Sequence, residues 1–317
     1  MIMLPVLAQS GNAQDASQYE ESVTIRGQVA TGDFTWSPQN FAGFYYDLDD
    51  NVGTETLTAT LSDDMLSGDY PYGLFYDTSA QEKPFRFQEW GSYYVIGFLG
   101  KKCFAGYLEG TDSERSYLFQ KSTDRSSLVR GQLEEVLLDD DAEMGISTSR
   151  PLKLKEGYEL ELTAVDAKGE RVFVQLLKNG EVIDSRQLNL RSNATLADRT
   201  YYYKDTVGNQ KNLVIIAVHF KNAFNAADEI IGTVDGVWQL SRLPLSLQEG
   251  NKFDKMTVQA VDLAQMHITL ANQDYPITLS KHKETLLMGD INLKTADSDS
   301  LMYYIYKDVR IKGSGIY

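Results

Sequence analysis

Hydrophobic and polar residues alternate with a period of two along much of the chain. In the segment YELELTAV (158–165), tyrosine and leucine positions alternate with two glutamates. Because a strand presents successive side chains on opposite faces, this pattern predicts a strand that is buried on one face only. The same pattern recurs in 23–29, 266–270 and 301–306.

Two apolar runs have no alternation. YYVIGFLG (93–100) and LVIIAVHF (213–220) have the length of strands, and continuous apolar runs of that length predict central strands covered on both faces. Asn179-Gly180 separates two further strand patterns and predicts a type I′ hairpin, since both residues tolerate positive φ. Helical patterns are scarce. The best candidate, 126–138, fits a strand equally well.

The chain also repeats itself. Segments 151–166 and 244–262 both contain P-L-x-L-x-E-G. A second pair, 74–104 and 201–224, shares an aromatic segment, Asp-Thr, a spacer, an apolar strand, a basic residue and a phenylalanine in the same order. Two copies of one plan predict two similar modules. We therefore expect an all-β fold of two related antiparallel β-sandwich modules joined by linkers.

Because the two pairs of repeats interleave, one module is expected to be discontinuous. The prediction places β-sandwich I at 20–130 with 245–312 and β-sandwich II at 131–244. A sequential split near 145 is the alternative. Residues 1–19 contain a short apolar run followed by alanines and lack a basic start, so we expect a leader or the remnant of a secretory signal there, and hence export.

Charge and cysteine content exclude several classes. The chain has 30 Lys and Arg against 45 Asp and Glu, which gives a net charge of −15. Such a surface repels phosphate, so no nucleic-acid partner is expected. Cys103 is the only cysteine, which rules out an intramolecular disulfide and a CxxC metal knuckle. No apolar stretch approaches the roughly 20 residues that span a bilayer, and we expect the chain to have no membrane anchor of its own.

The acidic segment DLDDNVGTE (47–55) raises the question of calcium. Asp47, Asp49 and Asn51 occupy positions 1, 3 and 5 of an EF-hand loop, but Val52 stands where that loop needs glycine and Thr58 where it needs glutamate. These three residues remain weak calcium candidates. The favoured interpretation is a solvated acidic turn after a tyrosine-rich strand, and no cofactor is expected.

Candidate catalytic groups are few. His219 lies in an apolar strand and is expected to pack in the core, His267 is expected to be exposed, and His282 lies in a basic loop. The chain contains no G-x-S-x-G, HExxH or phosphate-loop motif. The sequence leaves a pair of catalytic carboxylates open but supplies no particular pair, so we expect a protein that is not an enzyme.

Two sequence features relate to carbohydrates, one as a glycosylation site and one as a possible sugar-binding surface. Asn193 begins the single N-x-S/T sequon, Asn193-Ala194-Thr195, and is the glycosylation candidate in an exported protein. Adjacent tyrosines occur at 45–46, 93–94 and 201–203. They could stack on sugar rings, although packing in the core and at its rim is the favoured interpretation.

Several long segments resemble a known family. They are TIRGQVATGDFTWSPQNFAGFYYDLDDNVGTETL (24–57), WGSYYVIGFLGKKCFAGY (90–107), STSRPLKLKEGYELELTAVD (147–166), VIIAVHFKNAF (214–224), TVDGVWQLS (233–241) and KTADSD (294–299). In this order they resemble the duplication domain of the surface-layer (S-layer) proteins of methanogenic archaea, of the Methanosarcina type, in a single copy.

The resemblance implies two related β-sandwiches and an exported structural protein at the cell surface. Such a protein tiles with copies of itself or with other S-layer proteins in a two-dimensional lattice. Acidic surfaces would line the pores of this coat, which serves as cell wall and charge-selective sieve. A single copy without an anchor leaves open a principal tile or a minor coat protein. The alternatives are a secreted carbohydrate-binding module and an accessory envelope protein.

Overall fold

The computed structural model describes residues 19–108, 117–226 and 228–313. Antiparallel strands dominate the described chain. The first twelve are β1 (Tyr19–Arg26), β2 (Phe34–Trp36), β3 (Glu55–Thr60), β4 (Met65–Leu66), β5 (Gly73–Ser79), β6 (Gln81–Pro84), β7 (Ser92–Phe98), β8 (Lys101–Tyr107), β9 (Gln132–Asp140), β10 (Met144–Ser147), β11 (Leu152–Lys153) and β12 (Tyr158–Val165).

The remaining strands continue to the end of the described chain. They are β13 (Arg171–Lys178), β14 (Glu181–Asn189), β15 (Thr200–Val207), β16 (Gln210–Asn225), β17 (Ile230–Leu240), β18 (Leu245–Ser246), β19 (Lys252–Phe253), β20 (Met256–Asp262), β21 (His267–Ala271), β22 (Ile277–Thr278), β23 (Glu284–Met288), β24 (Ile291–Thr295) and β25 (Tyr303–Gly313). Two short α-helices, α1 (Tyr117–Lys121) and α2 (Leu196–Arg199), and two 3₁₀ turns (Gln88–Trp90 and Leu128–Arg130) lie between strands.

The strands form five sheets. The largest has nine strands in the order β15-β16-β17-β9-β8-β7-β6, with β10 on β17 and β18 on β9. The others are β19-β20-β21-β5-β3-β2, β1-β25-β24-β23, β11-β12-β13-β14 and the pair β22-β4. The prediction of an all-β, antiparallel fold is confirmed.

Local patterns predicted most strands well. The segment 158–165 is β12, with buried positions alternating as expected. Asn179 and Gly180 have φ values of 51° and 85° and join β13 to β14, so the hairpin prediction is confirmed. The ambiguous segment 126–138 resolves into a 3₁₀ turn followed by strand β9.

One local prediction is wrong. The tyrosine-rich segment before the acidic turn, 41–46, consists of turns and irregular backbone. Phe41 and Phe44 pack edge to face, with ring centroids 4.9 Å apart, and both are buried. Aromatic composition suggested a strand here, but two rings only three positions apart pack on each other across a single backbone turn.

Buried side chains form two cores. The first core contains Trp90, Tyr158, Leu160, Val174, Val218, Trp238 and their buried neighbours. The second core contains Trp36, Leu57, Tyr76, Leu270, Leu293, Tyr303 and their buried neighbours.

Strands β7 and β8 of the nine-stranded sheet belong to both cores. Val95 and Phe104 pack in the first core, whereas the adjacent Ile96 and Cys103 pack in the second. Because neighbouring side chains on a strand point to opposite faces, this part of the sheet is covered on both sides, as its continuous apolar run predicted. The module boundaries at 131 and 244 stay a prediction.

The two sequence repeats differ in how they fold. Gly157 and Gly250, the glycines of the shared P-L-x-L-x-E-G motif, both have positive φ, but Gly157 directly precedes the long strand β12, whereas Gly250 precedes the two-residue β19. In the other repeat, β15 pairs directly with β16, whereas β5 and β7 lie in different sheets. The repeated sequences therefore share local motifs but differ in strand pairing, and the two related sandwich modules stay a prediction.

Candidate functional site

The acidic segment forms a tight turn. Asp47 and Val52 exchange backbone hydrogen bonds of 2.8 and 3.1 Å, and Asn51 adopts a φ of 53°. The Asp47 Oδ1 atom accepts hydrogen bonds from the amides of Asp49 and Asp50 at 3.1 and 3.3 Å. A short aspartate side chain that caps its own turn is a common way to stabilise such backbone.

Two basic side chains from the end of β6 and the residues after it neutralise this turn. Lys83 is fully buried, and its Nζ atom lies 3.0 Å from Asp47 Oδ2 and also contacts Asp50. Arg86 Nη2 lies 3.2 Å from Asp47 Oδ1 and 2.7 Å from Asp49 Oδ2. Burial alone would raise the pKa of Asp47, but the hydrogen bond and charge of Lys83 outweigh it and lower that pKa.

The three calcium candidates thus have protein partners already. Asp47 and Asp49 pair with basic side chains, and Asn51 Oδ1 accepts a hydrogen bond from the Tyr46 hydroxyl. Within the described residues, no group of three or more His, Cys, Asp and Glu side chains is arranged to hold a metal ion. Calcium binding at Asp47, Asp49 and Asn51 stays a prediction, and Lys83 and Arg86 supply positive charge at the same turn.

A second acidic residue extends the network into the large sheet. Asp139 of β9 accepts hydrogen bonds from Lys102 Nζ at 2.7 Å, from the Tyr93 hydroxyl at 2.9 Å and from the Arg86 amide at 2.9 Å. The turn, β6, β7, β8 and β9 are therefore joined by one charged network. Sequence reasoning missed Lys83, Arg86 and this role of Asp139, because their partners lie over 30 positions away in the chain.

Two carboxyl groups are buried without a directly paired basic side chain among the described residues. Glu55 accepts hydrogen bonds from the Tyr45 amide at 2.7 Å, the Gly100 amide at 2.8 Å and the Tyr76 hydroxyl at 2.8 Å. Burial raises the pKa of Glu55 to about 7 despite these three donors.

Glu134 is the second such group. It accepts hydrogen bonds from Ser127 Oγ and Gln132 Nε2, and burial raises its pKa to about 7. Each carboxyl lies inside a core next to polar donors, an arrangement that orders neighbouring backbone and side chains.

Two of the three histidines pair with aspartates, in separate parts of the fold. His219 is 7% exposed, its Nδ1 atom is 2.6 Å from Asp235 Oδ1, and its ring stacks on Phe87 at 4.5 Å. His267 is half-buried and its Nε2 atom lies 2.9 Å from Asp77 Oδ1. The expectation of a packed His219 is confirmed, whereas His267 is less exposed than expected because it pairs across the strands with Asp77.

The glycosylation candidate lies in a defined loop. Asn193 is exposed between β14 and α2. Thr195, the third residue of the sequon, is the N-cap of α2, where its Oγ1 accepts from the Asp198 amide at 3.2 Å and the Asp198 carboxylate accepts from the Thr195 amide at 2.9 Å. The acceptor asparagine is thus held beside a capping box.

The adjacent tyrosines pack as their strands dictate. Tyr93 and Tyr201 are fully buried, whereas Tyr94 and Tyr202 are partly exposed. The rings therefore pack mainly in the cores and at their rims.

No helix in the described residues has the length and apolar character needed to cross a membrane.

Comparison with known proteins points to one family. A family model described as "S-layer protein" matches residues 26–297. The chain is 28% identical over 300 residues to a major S-layer protein of Methanosarcina mazei, covering 91% of this chain and 40% of that protein. Major S-layer proteins of Methanosarcina barkeri and Methanosarcina acetivorans are also 28% identical, over 92% and 94% of this chain. The chain spans about two fifths of the length of these curated relatives.

Proposed function

The chain belongs to the S-layer protein family, and we propose that it is an exported structural component of an archaeal surface layer. The observation that carries this proposal is the family match over residues 26–297, most of the chain. The fold supports it. Two cores tied to one nine-stranded sheet give a stiff body, and stiffness is what a protein coat requires of its parts.

The partners proposed are further copies of this chain or other S-layer proteins, in a two-dimensional lattice at the cell surface. A net charge of −15 would make the walls of any opening in that lattice acidic. Cations are enriched and anions repelled within about 8 Å of such a wall at physiological salt. The coat would then act as a cell wall and a charge-selective sieve, without catalysis.

Lattice formation is tested by electron microscopy of the purified chain. We expect ordered sheets, or incorporation of the labelled chain into isolated cell envelopes, and recovery of the native protein with the envelope fraction. A protein that stays monodisperse under all assembly conditions and is recovered only from washed cytosol would contradict the proposal.

We also propose that Asn193 carries a glycan in the exported protein. Its exposure and its position in a loop beside the capped helix support access by a glycosyltransferase. Mass spectrometry of peptides from the native protein would show a mass increment on the peptide that contains Asn193, and Asn193→Gln would abolish it. An unmodified peptide from envelope-derived protein would contradict this.

A further inference from the structure

Tyr70 is the most exposed large hydrophobic side chain in the described part of the chain, at 88%. It lies in the loop between β4 and β5, and its ring meets Phe75 edge to face, with centroids 6.0 Å apart and planes at 76°. Most of the ring is therefore left to solvent, with Phe75 as a neighbour on one side. An aromatic ring presented in this way is costly to hydrate and suited to stacking.

The loop that carries Tyr70 is held by hydrogen bonds to a buried asparagine. Asn272 is fully buried, and its Oδ1 atom accepts a hydrogen bond from the Leu74 amide at 2.8 Å. Its Nδ2 atom donates to the carbonyls of Leu66 at 3.1 Å and Tyr275 at 3.0 Å. One side chain thus ties both ends of the loop to the sheet, which limits the backbone freedom that binding would otherwise have to remove.

The anchor requires glycine at both ends of the loop. A Cβ atom on Gly68 would lie 2.7 Å from the Asn272 carbonyl oxygen, and one on Gly73 would lie 2.7 Å from Asn272 Oδ1. Both glycines also have positive φ, 85° and 144°. The backbone is therefore shaped to approach Asn272 closely.

A groove of about 480 Å³ lies beside Tyr70 on the outer face of the six-stranded sheet. Its polar lining comes from three neighbouring strands and the loop after them: Asp77 on β5, Thr269 on β21, Gln259 on β20, and Gln273. A groove with one aromatic wall and several convergent polar groups is typical of a small-molecule site.

The carboxylate of Asp77 is held in place by hydrogen bonds, and the polar groups of the groove have unused hydrogen-bonding atoms. Asp77 Oδ1 accepts from Thr269 Oγ1 at 2.8 Å and from His267 Nε2 at 2.9 Å, which fixes the carboxylate. Its Oδ2 atom has no hydrogen-bond donor within the described ranges. The side chain of Gln273 has no hydrogen-bond partner there either, and Gln259 Nε2 donates only to the Thr257 carbonyl, at 3.1 Å.

We propose that this groove binds a saccharide. A hexopyranose has an apolar C–H face that packs on an aromatic ring, and hydroxyl groups that donate to a carboxylate and exchange hydrogen bonds with amides. Tyr70 supplies the ring, Asp77 the fixed acceptor, and Gln259 and Gln273 the amides. The carboxylate of Asp77 places an acceptor and negative charge in the groove, which favours neutral or amino sugars over acidic ones.

The test is binding of defined oligosaccharides to the full chain. Cellohexaose, maltohexaose and chitohexaose are titrated by ligand-observed NMR and calorimetry, with hexagalacturonate as the acidic comparison. We expect at least one of the three to bind and hexagalacturonate not to bind. Tyr70→Ala should weaken binding about tenfold or more, and Asp77→Asn should weaken it while reducing discrimination against hexagalacturonate.

Tyr72→Ala is the matched control, because Tyr72 is an exposed tyrosine of the same loop, at 43%, that does not line the groove. It should leave binding unchanged. The proposal is overturned if none of the three neutral or amino hexasaccharides binds at 10 mM or if Tyr70→Ala binds as tightly as the parent. It is also overturned if Tyr70→Ala alters only self-association in sedimentation, which would assign the ring to a contact between copies. Sheet formation is measured separately, so loss of sugar binding and loss of lattice assembly are distinguishable.

Discussion

The Nζ atom of Lys83, a fully buried residue, lies 3.0 Å from Oδ2 of Asp47, which is itself almost buried. Taking two charges out of water is costly, and here their mutual attraction is supported by Arg86 and Asp50. The pair fixes the acidic turn against the end of β6. A sequence feature that first suggests a calcium site thus contributes to the stability of the fold.

Lys83→Met should strongly destabilise the protein. It would leave Asp47 buried with less compensating charge, a change that typically costs about 3–5 kcal/mol. Denaturant unfolding at neutral pH would measure the loss. Lys101→Met is the control, since Lys101 pairs with Glu135 at 2.8 Å on the surface and such exposed pairs contribute about 1 kcal/mol or less. Equal effects of the two changes would contradict the structural role of Lys83.

Glu134 should make stability fall as pH rises. Its folded-state pKa of about 7 lies above the ordinary value of 4.5, so between these values the folded state binds more protons than the unfolded state. The free energy of unfolding therefore decreases as pH rises through this window. Glu134→Gln removes the titration and keeps hydrogen-bonding groups at the same place, because the Ser127 hydroxyl can reverse its direction.

The comparison is made between parent and Glu134→Gln at several pH values. We expect the variant to gain stability relative to the parent from pH 4.5 to pH 7 and the difference to level off above that. A difference that is constant with pH would show that Glu134 titrates normally. Using the difference cancels the opposite contribution of carboxyl groups with lowered pKa, such as Asp47.

Alanine substitutions at two glycines distinguish the cost of a strained backbone from the cost of a steric clash. Gly100 and Gly180 both have positive φ, 76° and 85°, but a Cβ atom on Gly100 would lie 2.2 Å from the Gly43 carbonyl oxygen, whereas one on Gly180 meets nothing within 4 Å. Gly180→Ala should cost about 1–2 kcal/mol from conformation alone. Gly100→Ala should cost clearly more, because the β7–β8 turn must also move away from Gly43. Unfolding curves of the two variants that coincide would contradict this close approach.

The sequon loop offers a test that separates glycan from helix cap. In unglycosylated protein from a bacterial host, Thr195→Ala should lower Tm by about 2 °C because the capping box with Asp198 is lost. Thr195→Ser and Asn193→Gln should leave Tm close to that of the parent. If Asn193→Gln alone lowered Tm as much as Thr195→Ala, the asparagine and not the cap would stabilise the loop.

Charge selectivity of an assembled layer should depend on salt. Cationic and anionic dextrans of equal size should cross a reconstituted layer at different rates, with the anionic probe slower. Raising the ionic strength from 0.01 to 1 M shortens the screening length from about 30 to about 3 Å and should remove most of the difference. Selectivity that persists at 1 M salt would point to size or specific binding instead of the acidic surface.

Much of the fold was predictable because its strands obey local rules. Alternation identified β12, the Asn179-Gly180 pair identified the β13–β14 hairpin, and the unbroken apolar run identified β7 as covered on both faces. These features depend only on neighbours in sequence. Segment 41–46 was mispredicted because its conformation is set by packing between Phe41 and Phe44.

The site residues were harder to predict, since contacts distant in sequence decide them. Asp47 was singled out for calcium, but the ammonium that faces it comes from Lys83, on β6 of the nine-stranded sheet. Tyr70 was not identified as a candidate binding residue because it lies outside the tyrosine clusters. The loop that carries it is held by Asn272, some 200 residues later in the chain. Family resemblance supplied the proposed function, which strand patterns alone did not.

The double coverage of β7 and β8 has a mechanical consequence. A coat under osmotic swelling is pulled in its own plane, and a body of two loosely connected lobes would yield at the link. Here Val95 and Ile96 are adjacent on one strand, and their side chains pack into the two different cores. Unfolding of either core would expose one face of the shared strands β7 and β8 and thereby destabilise the other core. Both should therefore resist stretching together and give way in a single event.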